Sequence, residues 1–349
     1  MKLSMRMICV LVFSFALVFA TACTKKTETP AAGGEATTAA EVEKIEVRFA
    51  GTEGAAAGQS RAMQEMADLL NASGRFNATV FPAGALSSDT DGMVTQAQMG
   101  MNLIIPSDPG RLASQFKIND LNILMAPYVL MDVALLDKLP ETELYKTWQA
   151  QLEEQGVVLA ADMFNGFRNF YTINPVEKLS DLAGLRIRGF GNDIGMALGK
   201  YLGFAQTTVA ATEVYAGVQA KSLDGSESQA SNADAYRLFE VSPYLAMTKH
   251  YMLQSSFVCG KAWLDTLSAE DRDFVLKTVY DVSSKYSKII FEEEAGLFEN
   301  FTKNGGTITN PDLAEFEAAI APLYVNNDLG LSDGLKDKLM EQLGVTAAQ

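Results

Sequence analysis

Histidine is almost missing from this chain. The one copy in 349 residues, His250, excludes any metal site needing two imidazoles. It also excludes a Ser-His-Asp arrangement unless His250 is its base. Cysteine is nearly as scarce, at three. Cys9 lies in the leading apolar run and Cys23 at its end, so Cys259 has no partner left and no disulfide framework can form. There is no G-x-S-x-G, no H-E-x-x-H and no glycine-rich phosphate loop, and no spacing singles out two carboxylates as a glycosidase pair. An enzyme therefore has nothing in the motif inventory to stand on. Positive charge is in deficit as well: 28 Lys and Arg face 43 Asp and Glu, a formal charge of −15. Such a chain is repelled by nucleic acid and by anionic lipid.

What the sequence does have begins at its start. Lys2 and Arg6 precede an apolar run from Ile8 to Ala20, which ends in Thr21-Ala22-Cys23. A basic start, a short apolar segment and small residues before a cut form the pattern of a secretory signal peptide, and the run is too short to span a bilayer comfortably. The reading is a signal peptide over 1–22 and a mature chain from Cys23. Loss of Lys2 and Arg6 leaves 26 basic against 43 acidic residues, or −17. Ala20-Thr21-Ala22-Cys23 resembles the bacterial lipobox, in which the cysteine is acylated, although Ala replaces the usual Leu three before it. Acyl chains on Cys23 would anchor the protein on the periplasmic side or at the cell surface without a transmembrane helix; plain cleavage near Ala22 is the alternative. Residues 23–44 then form a flexible tether, rich in Thr, Ala and Glu and too poor in bulky apolar groups to offset their ordering entropy.

From Lys44 onward short apolar strands alternate with helical segments. Ile45–Phe49 alternates as a strand, and Met63, Met66, Ala67 and Leu70 recur at helical spacing within 59–70. Strands follow at 78–81, at 102–105 closed by Pro106, and at 157–161, 168–172, 185–188, 206–209 and 253–258. Helices are predicted over 89–100, 141–154, 193–201, 212–220 (capped by Thr212) and 261–267. This alternation argues for an α/β protein with largely parallel sheets. One helix is unusually long. Ser268 can cap it, and Val275, Val279, Val282, Tyr286, Ile289, Leu297 and Phe301 carry its apolar stripe to Gly305. Unbroken, it measures about 54 Å at 1.5 Å per residue, more than one lobe of this size; a break near Gly296 is the alternative.

Six segments, in order, resemble the substrate-binding proteins of tripartite ATP-independent periplasmic (TRAP) transporters. FNATVFPAGAL (Phe76 to Leu86) is similar to V-x-V-x-P-x-G-x-L, and Gln96 to Ile105 to Q-x-x-x-G-x-x-D-x-x. Leu124 to Tyr128 is similar to L-x-x-P-Y/F, and Asn165 to Phe170 to x-G-x-R-x-x. LSDLAGLRIR (Leu179 to Arg188) resembles D-L-K-G-L-K-I-R. Glu213-Val214-Tyr215 with Leu223-Asp224-Gly225 resembles E-V-Y-x-A-L-x-x-G-x-V-D-G. The resemblance implies an α/β, two-lobed periplasmic binding protein fold with a hinge and a long helix spanning both lobes. The corresponding division is 45–165 plus 250–290 for lobe I, 166–249 plus 291–330 for lobe II, and 331–349 as a C-terminal segment.

The same resemblance makes Arg188 the clamp for a substrate carboxylate, a role suited to a planar guanidinium that never loses its charge. From spacing alone Arg186 and Arg188 share a strand face that water could equally cover. Arg168 matches the family's second arginine, with an ion pair to a rim acid as the alternative. Tyr215 sits one turn into its helix, facing either cleft or core. Phe190 offers a flat wall. Ser228 replaces the amide of the family's Q-E-N-P, since this chain reads Ser226-Glu227-Ser228-Gln229. Glu53, in a small, weakly polar loop less suited to a polyhydroxylated ligand, and Asn165 complete the ligand-binding set. His250 reads as a satisfied structural residue and Cys259 as a small apolar group. The resulting function is an extracytoplasmic solute-binding lipoprotein that needs no cofactor or metal. It captures a small organic anion by lobe closure and delivers it to integral membrane transporter subunits. A receptor for another importer type and a non-transport surface lipoprotein are the alternatives.

Overall fold

Alternation makes the first strand: in β1 (Ile45–Ala50) Val47 and Phe49 are buried while Glu46 is exposed. The computed structural model describes residues 43–345; the signal segment, Cys23, the tether up to residue 42 and residues 346–349 lie outside the described residues. The remaining strands are β2 (Phe76–Phe81), β3 (Leu103–Ser107), β4 (Val157–Thr172), β5 (Arg186–Arg188), β6 (Ala205–Thr207), β7 (Gly225–Ser228), β8 (Tyr244–Gly260) and β9 (Thr307–Thr309). The helices are α1 (Gly58–Ala72), α2 (Thr90–Gln98), α3 (Pro109–Phe116), α4 (Glu143–Glu154), α5 (Asp193–Leu202), α6 (Val214–Gln219), α7 (Ala230–Ala235), α8 (Lys261–Leu264), α9 (Ala269–Lys303), α10 (Leu313–Val325) and α11 (Leu335–Gln342). Among the described residues no helix is long and apolar enough to cross a membrane.

The sheet runs β2-β1-β3-β8-β4-β7-β5-β6, with β9 also pairing β8. Its two wings are parallel, as the alternation predicts: β1 with β2 and β3, and β5 with β6 and β7. Its centre is not. β8 pairs antiparallel with both β3 and β4, and β4 pairs antiparallel with β7. The sequence reading of a largely parallel sheet is corrected here for a local reason. β4 and β8, of 16 and 17 residues, are single strands where shorter pieces were predicted. Register shifts interrupt their ladder between Leu159 and Ala161, Phe164 and Phe167, and Arg168 and Phe170. These bulges fall where the apolar pattern lapses.

The β4/β8 ribbon joins the wings. Near Val157–Ala161 it meets Phe257–Gly260, with β3 alongside β8; near Phe170–Thr172 it meets Tyr244–Ala246, with β7 alongside β4. Two lobes thus share one ribbon, bulged at its middle. β3 is buried at every position, as a strand covered on both faces requires, and it continues through Pro106. Pro106 lies past the point where β1 pairs with β3, so the strand there has one neighbour, the setting in which proline is tolerated.

Helix α9 is unbroken through Gly296, with the Ser268 hydroxyl accepting from the Asp271 N–H at 3.1 Å as its cap. Its buried face differs from the predicted stripe. Val275, Val279, Val282 and Phe301 are buried, but the middle is Ser283, Ser287, Ile290 and Glu294 in place of Tyr286, Ile289 and Leu297. The bulge explains the polarity. N–H groups of β4 released from the ladder need acceptors, and the helix supplies them: Ser287 Oγ accepts from the Phe164 N–H (2.9 Å) and Glu294 Oε1 from the Phe167 N–H (2.9 Å).

Candidate functional site

The carboxyl ends of the parallel strands converge on a cavity of about 540 Å³, the place where open α/β sheets bind ligands. One lobe contributes Thr52 and Glu53 after β1, Gly84 after β2 and Asp108 after β3. The other contributes Arg188 at the end of β5 with Gly189 to Gly191 after it, Thr208 to Thr212 after β6, and Gln229 after β7. The ribbon supplies Asn165, Arg168 and Leu253 to Ser255 between them.

Two arginines are buried among the described residues, and they have different surroundings. Arg168, 0% exposed, is held on three sides: its Nε donates to Glu227 Oε2 (2.5 Å), one terminal nitrogen to the Glu227 carbonyl (2.7 Å), and the other to Gln229 Oε1. Burial alone would raise the Glu227 carboxyl, but the Arg168 charge and its hydrogen bond win and hold it near a pKa of about 2. The partner of Arg168 is therefore a fully buried strand residue and not a rim acid. Arg188, 9% exposed, donates from Nε to the Val209 carbonyl (3.0 Å) and has no carboxylate within 4.0 Å among the described residues. Burial, and next the Arg168 charge, lower its pKa from the ordinary guanidinium value. It remains charged, and a counter-charge would relieve it. The Phe190 ring lies under both guanidinium groups, 4.7 Å from Arg168 Cζ and 5.6 Å from Arg188 Cζ. Arg186 is exposed and held in a two-point pair with Asp224, at 2.8 Å on each oxygen.

Glu53 and Asn165 meet in the cavity wall: Asn165 Nδ2 donates to Glu53 Oε1 at 3.0 Å, and Gln229 Nε2 reaches the same oxygen at 3.5 Å. Burial raises the Glu53 pKa, opposed by Asn165 and Arg168. Gly166 makes this junction possible. Its φ of +109° is open to glycine, and a Cβ there would sit 2.7 Å from Gln229 Cβ.

Of the residues expected to contact ligand, Arg188, Arg168, Phe190, Glu53 and Asn165 line the cavity; Tyr215 and Ser228 do not. Tyr215 is displaced because Val214 and Val218 take the buried face of α6, turning its hydroxyl outward to Glu240 (2.8 Å). Thr212 lies within the 3-10 turn Ala211–Glu213 and does not cap that helix. Strand parity displaces Ser228: Arg168 bonds both Glu227 and Gln229, so Ser228 between them faces the other side, buried opposite Asn169. The amide moves one position, to Gln229. The loop after β1 is weakly polar, as expected, but Gln59, Ser107, Asp108, Asn232, Tyr236 and Gln254 make the wall polar from elsewhere. An acid in the short buried strand Gly225–Ser228 was the available signal for Glu227, since a buried arginine demands one.

His250 is fully buried and stacks on Phe170 (4.6 Å), with Nδ1 2.8 Å from the Thr248 hydroxyl. Its pKa is lowered, by burial first, so it stays neutral; Nε2 stands 3.6 Å from Glu227, without a hydrogen-bond partner. Burial pushes the Cys259 thiol up to about 12, which leaves it inert. Among the described residues no group of three His, Cys, Asp or Glu could hold a metal ion.

The family model for "Bacterial extracellular solute-binding protein, family 7" matches residues 49–327. The sialic acid-binding periplasmic protein of Vibrio cholerae is 26% identical over 277 residues, covering 78% of this chain and 85% of that one. The C4-dicarboxylate-binding periplasmic protein of Rhodobacter capsulatus is 25% identical over 258 residues, 72% of this chain and 76% of that one. Among solved structures, a TRAP periplasmic solute-binding protein of Actinobacillus succinogenes with bound L-galactonate superimposes with a TM-score of 0.80 at 25% identity, covering 86% of this chain and all of that one.

Proposed function

The chain belongs to the bacterial extracellular solute-binding proteins of family 7, the TRAP type, and from that premise we propose that it captures a small organic acid through Arg188. The observation that carries the reading is a buried guanidinium on a cavity wall with no carboxylate within 4.0 Å among the described residues, while its neighbour Arg168 is paired with Glu227. A buried unmatched charge is costly, and a carboxylate with two oxygens fits the guanidinium fork. Relatives named for sialic acid and for C4-dicarboxylates, and one holding L-galactonate, take ligands with this group, which supports the assignment.

Arg188 ends a strand of one wing, with Phe190 just beyond it, and Glu53 follows a strand of the other, so a ligand touching both favours the arrangement that brings the wings together. The lobes in this reading are 45–165 with 250–290, and 166–249 with 291–330, hinged at the bulge of the β4/β8 ribbon. The loaded form then delivers its ligand to membrane permease subunits, the protein itself remaining on the periplasmic side, held by lipid on Cys23. The cavity binds and does not catalyse.

Calorimetry against a panel of small carboxylates tests the clamp. Arg188→Ala should lose about 3 to 5 kcal/mol, a hundredfold or more in affinity, and Arg188→Lys should recover little because an ammonium lacks the fork. Arg186→Ala, exposed and paired to Asp224, is the control and should shift affinity by less than about tenfold. Arg188→Ala binding within about threefold of wild type would remove the assignment.

A further inference from the structure

The ionisable side chains lining the cavity are Glu53, Asp108, Arg111, Arg168, Arg188 and Tyr236. Two of the cations are matched inside the protein. Arg111 pairs with Asp108 (2.9 Å) and Asp91 (3.4 Å), and Arg168 with Glu227 (2.5 Å). That leaves one cation and one anion. Arg188 has no carboxylate within 4.0 Å among the described residues, and Glu53 has no cation within that distance. The two stand on different wings, Glu53 after β1 and Arg188 at the end of β5. Tyr236 feels both: burial first raises its pKa, the Glu53 charge raises it further and the Arg188 charge lowers it.

Glu53 is also short of donors. Oε1 accepts from Asn165 and Gln229, whereas Oε2 is enclosed without a partner. An oxygen taken from water and given no donor is costly, and the more so in a carboxylate. A second carboxylate near Glu53 would add like-charge repulsion to that cost, and a hydroxyl would satisfy the oxygen but leave the charge unmatched. An ammonium does both.

We infer that the cavity is built for a zwitterion: a small amino acid whose carboxylate lies on Arg188 and whose ammonium, at the other end, donates to Glu53. The inference rests on the carboxylate reading of Arg188 and adds the class of the opposite group. Glu53 becomes the residue that selects against dicarboxylates, and closure of the wings brings the two fixed charges onto the two ends of one molecule.

The test is calorimetric titration of the full chain with straight-chain amino acids from glycine to γ-aminobutyrate, each beside the hydroxy acid and the dicarboxylic acid of matching length. Wild type should bind at least one amino acid of the series about tenfold or more tightly than its two counterparts. Glu53→Gln should weaken that amino acid by about tenfold or more and leave the hydroxy acid within about threefold. Arg188→Ala should weaken all three classes. A wild-type protein that prefers the dicarboxylate or hydroxy acid, or binds no amino acid of the series, overturns the zwitterion. So does a Glu53→Gln variant that weakens all three alike. If Arg188→Ala still abolishes binding in those cases, the carboxylate clamp survives alone; if it does not, the clamp falls too. Should Glu53→Gln fail to fold, the wild-type ranking decides by itself.

Discussion

Replacing Glu227 by Gln removes the charge that matches Arg168 while keeping the shape of the side chain. Both residues are essentially out of water, at 1% and 0% exposed. The Glu227 pKa stands near 2 against an ordinary 4.5. At about 1.4 kcal/mol per pH unit, that difference makes the ionised form worth roughly 3 kcal/mol to the folded state at neutral pH. Breaking a buried pair by removing one partner costs about 3 to 5 kcal/mol by an independent route. With about 2 cal/mol/K of unfolding entropy per residue over some 300 residues, the melting temperature should fall by roughly 5 to 8 °C. Urea unfolding should show a lower midpoint with an unchanged slope. Arg168→Met alone should be as damaging, since it strands Glu227, but the double variant should recover about 2 kcal/mol or more relative to the sum. The sign with pH is fixed: a depressed carboxyl contributes stability above its ordinary pKa that is lost as pH falls toward about 2, and the Gln variant should lack that loss. A single variant within about 1 kcal/mol of wild type, or a strictly additive double, would mean that Arg168 is not locked by Glu227. Arg168 would then be a second free cation for the ligand.

Two further outcomes follow from the bulge of the β4/β8 ribbon and from the start of the chain. Burial raises Glu294 to about 7, so between its ordinary range and that value the folded protein holds the extra proton; stability should fall by up to about 3 kcal/mol as pH rises through this window, and Glu294→Gln, which keeps the acceptor for the Phe167 N–H, should flatten the fall in denaturant titrations. Cys23→Ala should move the protein from the membrane fraction to the soluble one, and fatty-acid label incorporated as strongly into that variant as into wild type would rule out the anchor.

Legibility in the sequence tracked how local the physics was. Strands such as Ile45–Ala50 and the length of α9 were readable because alternation, spacing and a Ser268 cap act within a few residues. Arg188 was reached through the segment ending Leu185-Arg186-Ile187-Arg188, and its neighbours Glu53, Asn165, Arg168 and Phe190 also line the cavity. What the sequence hid was long-range. The single strands β4 and β8 are interrupted by bulges that erase the apolar pattern between Asp162 and Phe167. The polar face of α9 makes sense only against the N–H groups that those bulges release. Tyr215 and Ser228 lie off the cavity wall for a simpler reason, since each is next to residues that own the facing side: Val214 and Val218 in the helix, Glu227 and Gln229 along the strand. Matching a motif by position carries no information about which side of an element a residue faces.

The ribbon bulge, where the proposed function puts the hinge, and the cavity wall are made from the same few atoms, which would join binding to closure. Gly166, in the bulge, lies against Gln229; Gln229 bonds Arg168 on its own wing and Glu53 on the other; and Asn165, next in the chain, bonds Glu53 as well. Behind them Glu294 of α9 holds the Phe167 N–H of the same bulge. Two neutral amides on Glu53 Oε1 are thus the direct polar bonds that bring the β1 loop to the ribbon and to Gln229 beside Arg168. Neutral hydrogen bonds contribute only about 1 kcal/mol each, and the desolvation of Glu53 and Arg188 is left without close counter-charges while the cavity is empty. A ligand that supplies both counter-charges reverses that term. Under the proposed function closure would be favoured by the same groups proposed to hold the ligand, so selectivity and conformational response should change together when Glu53 or Arg188 is altered.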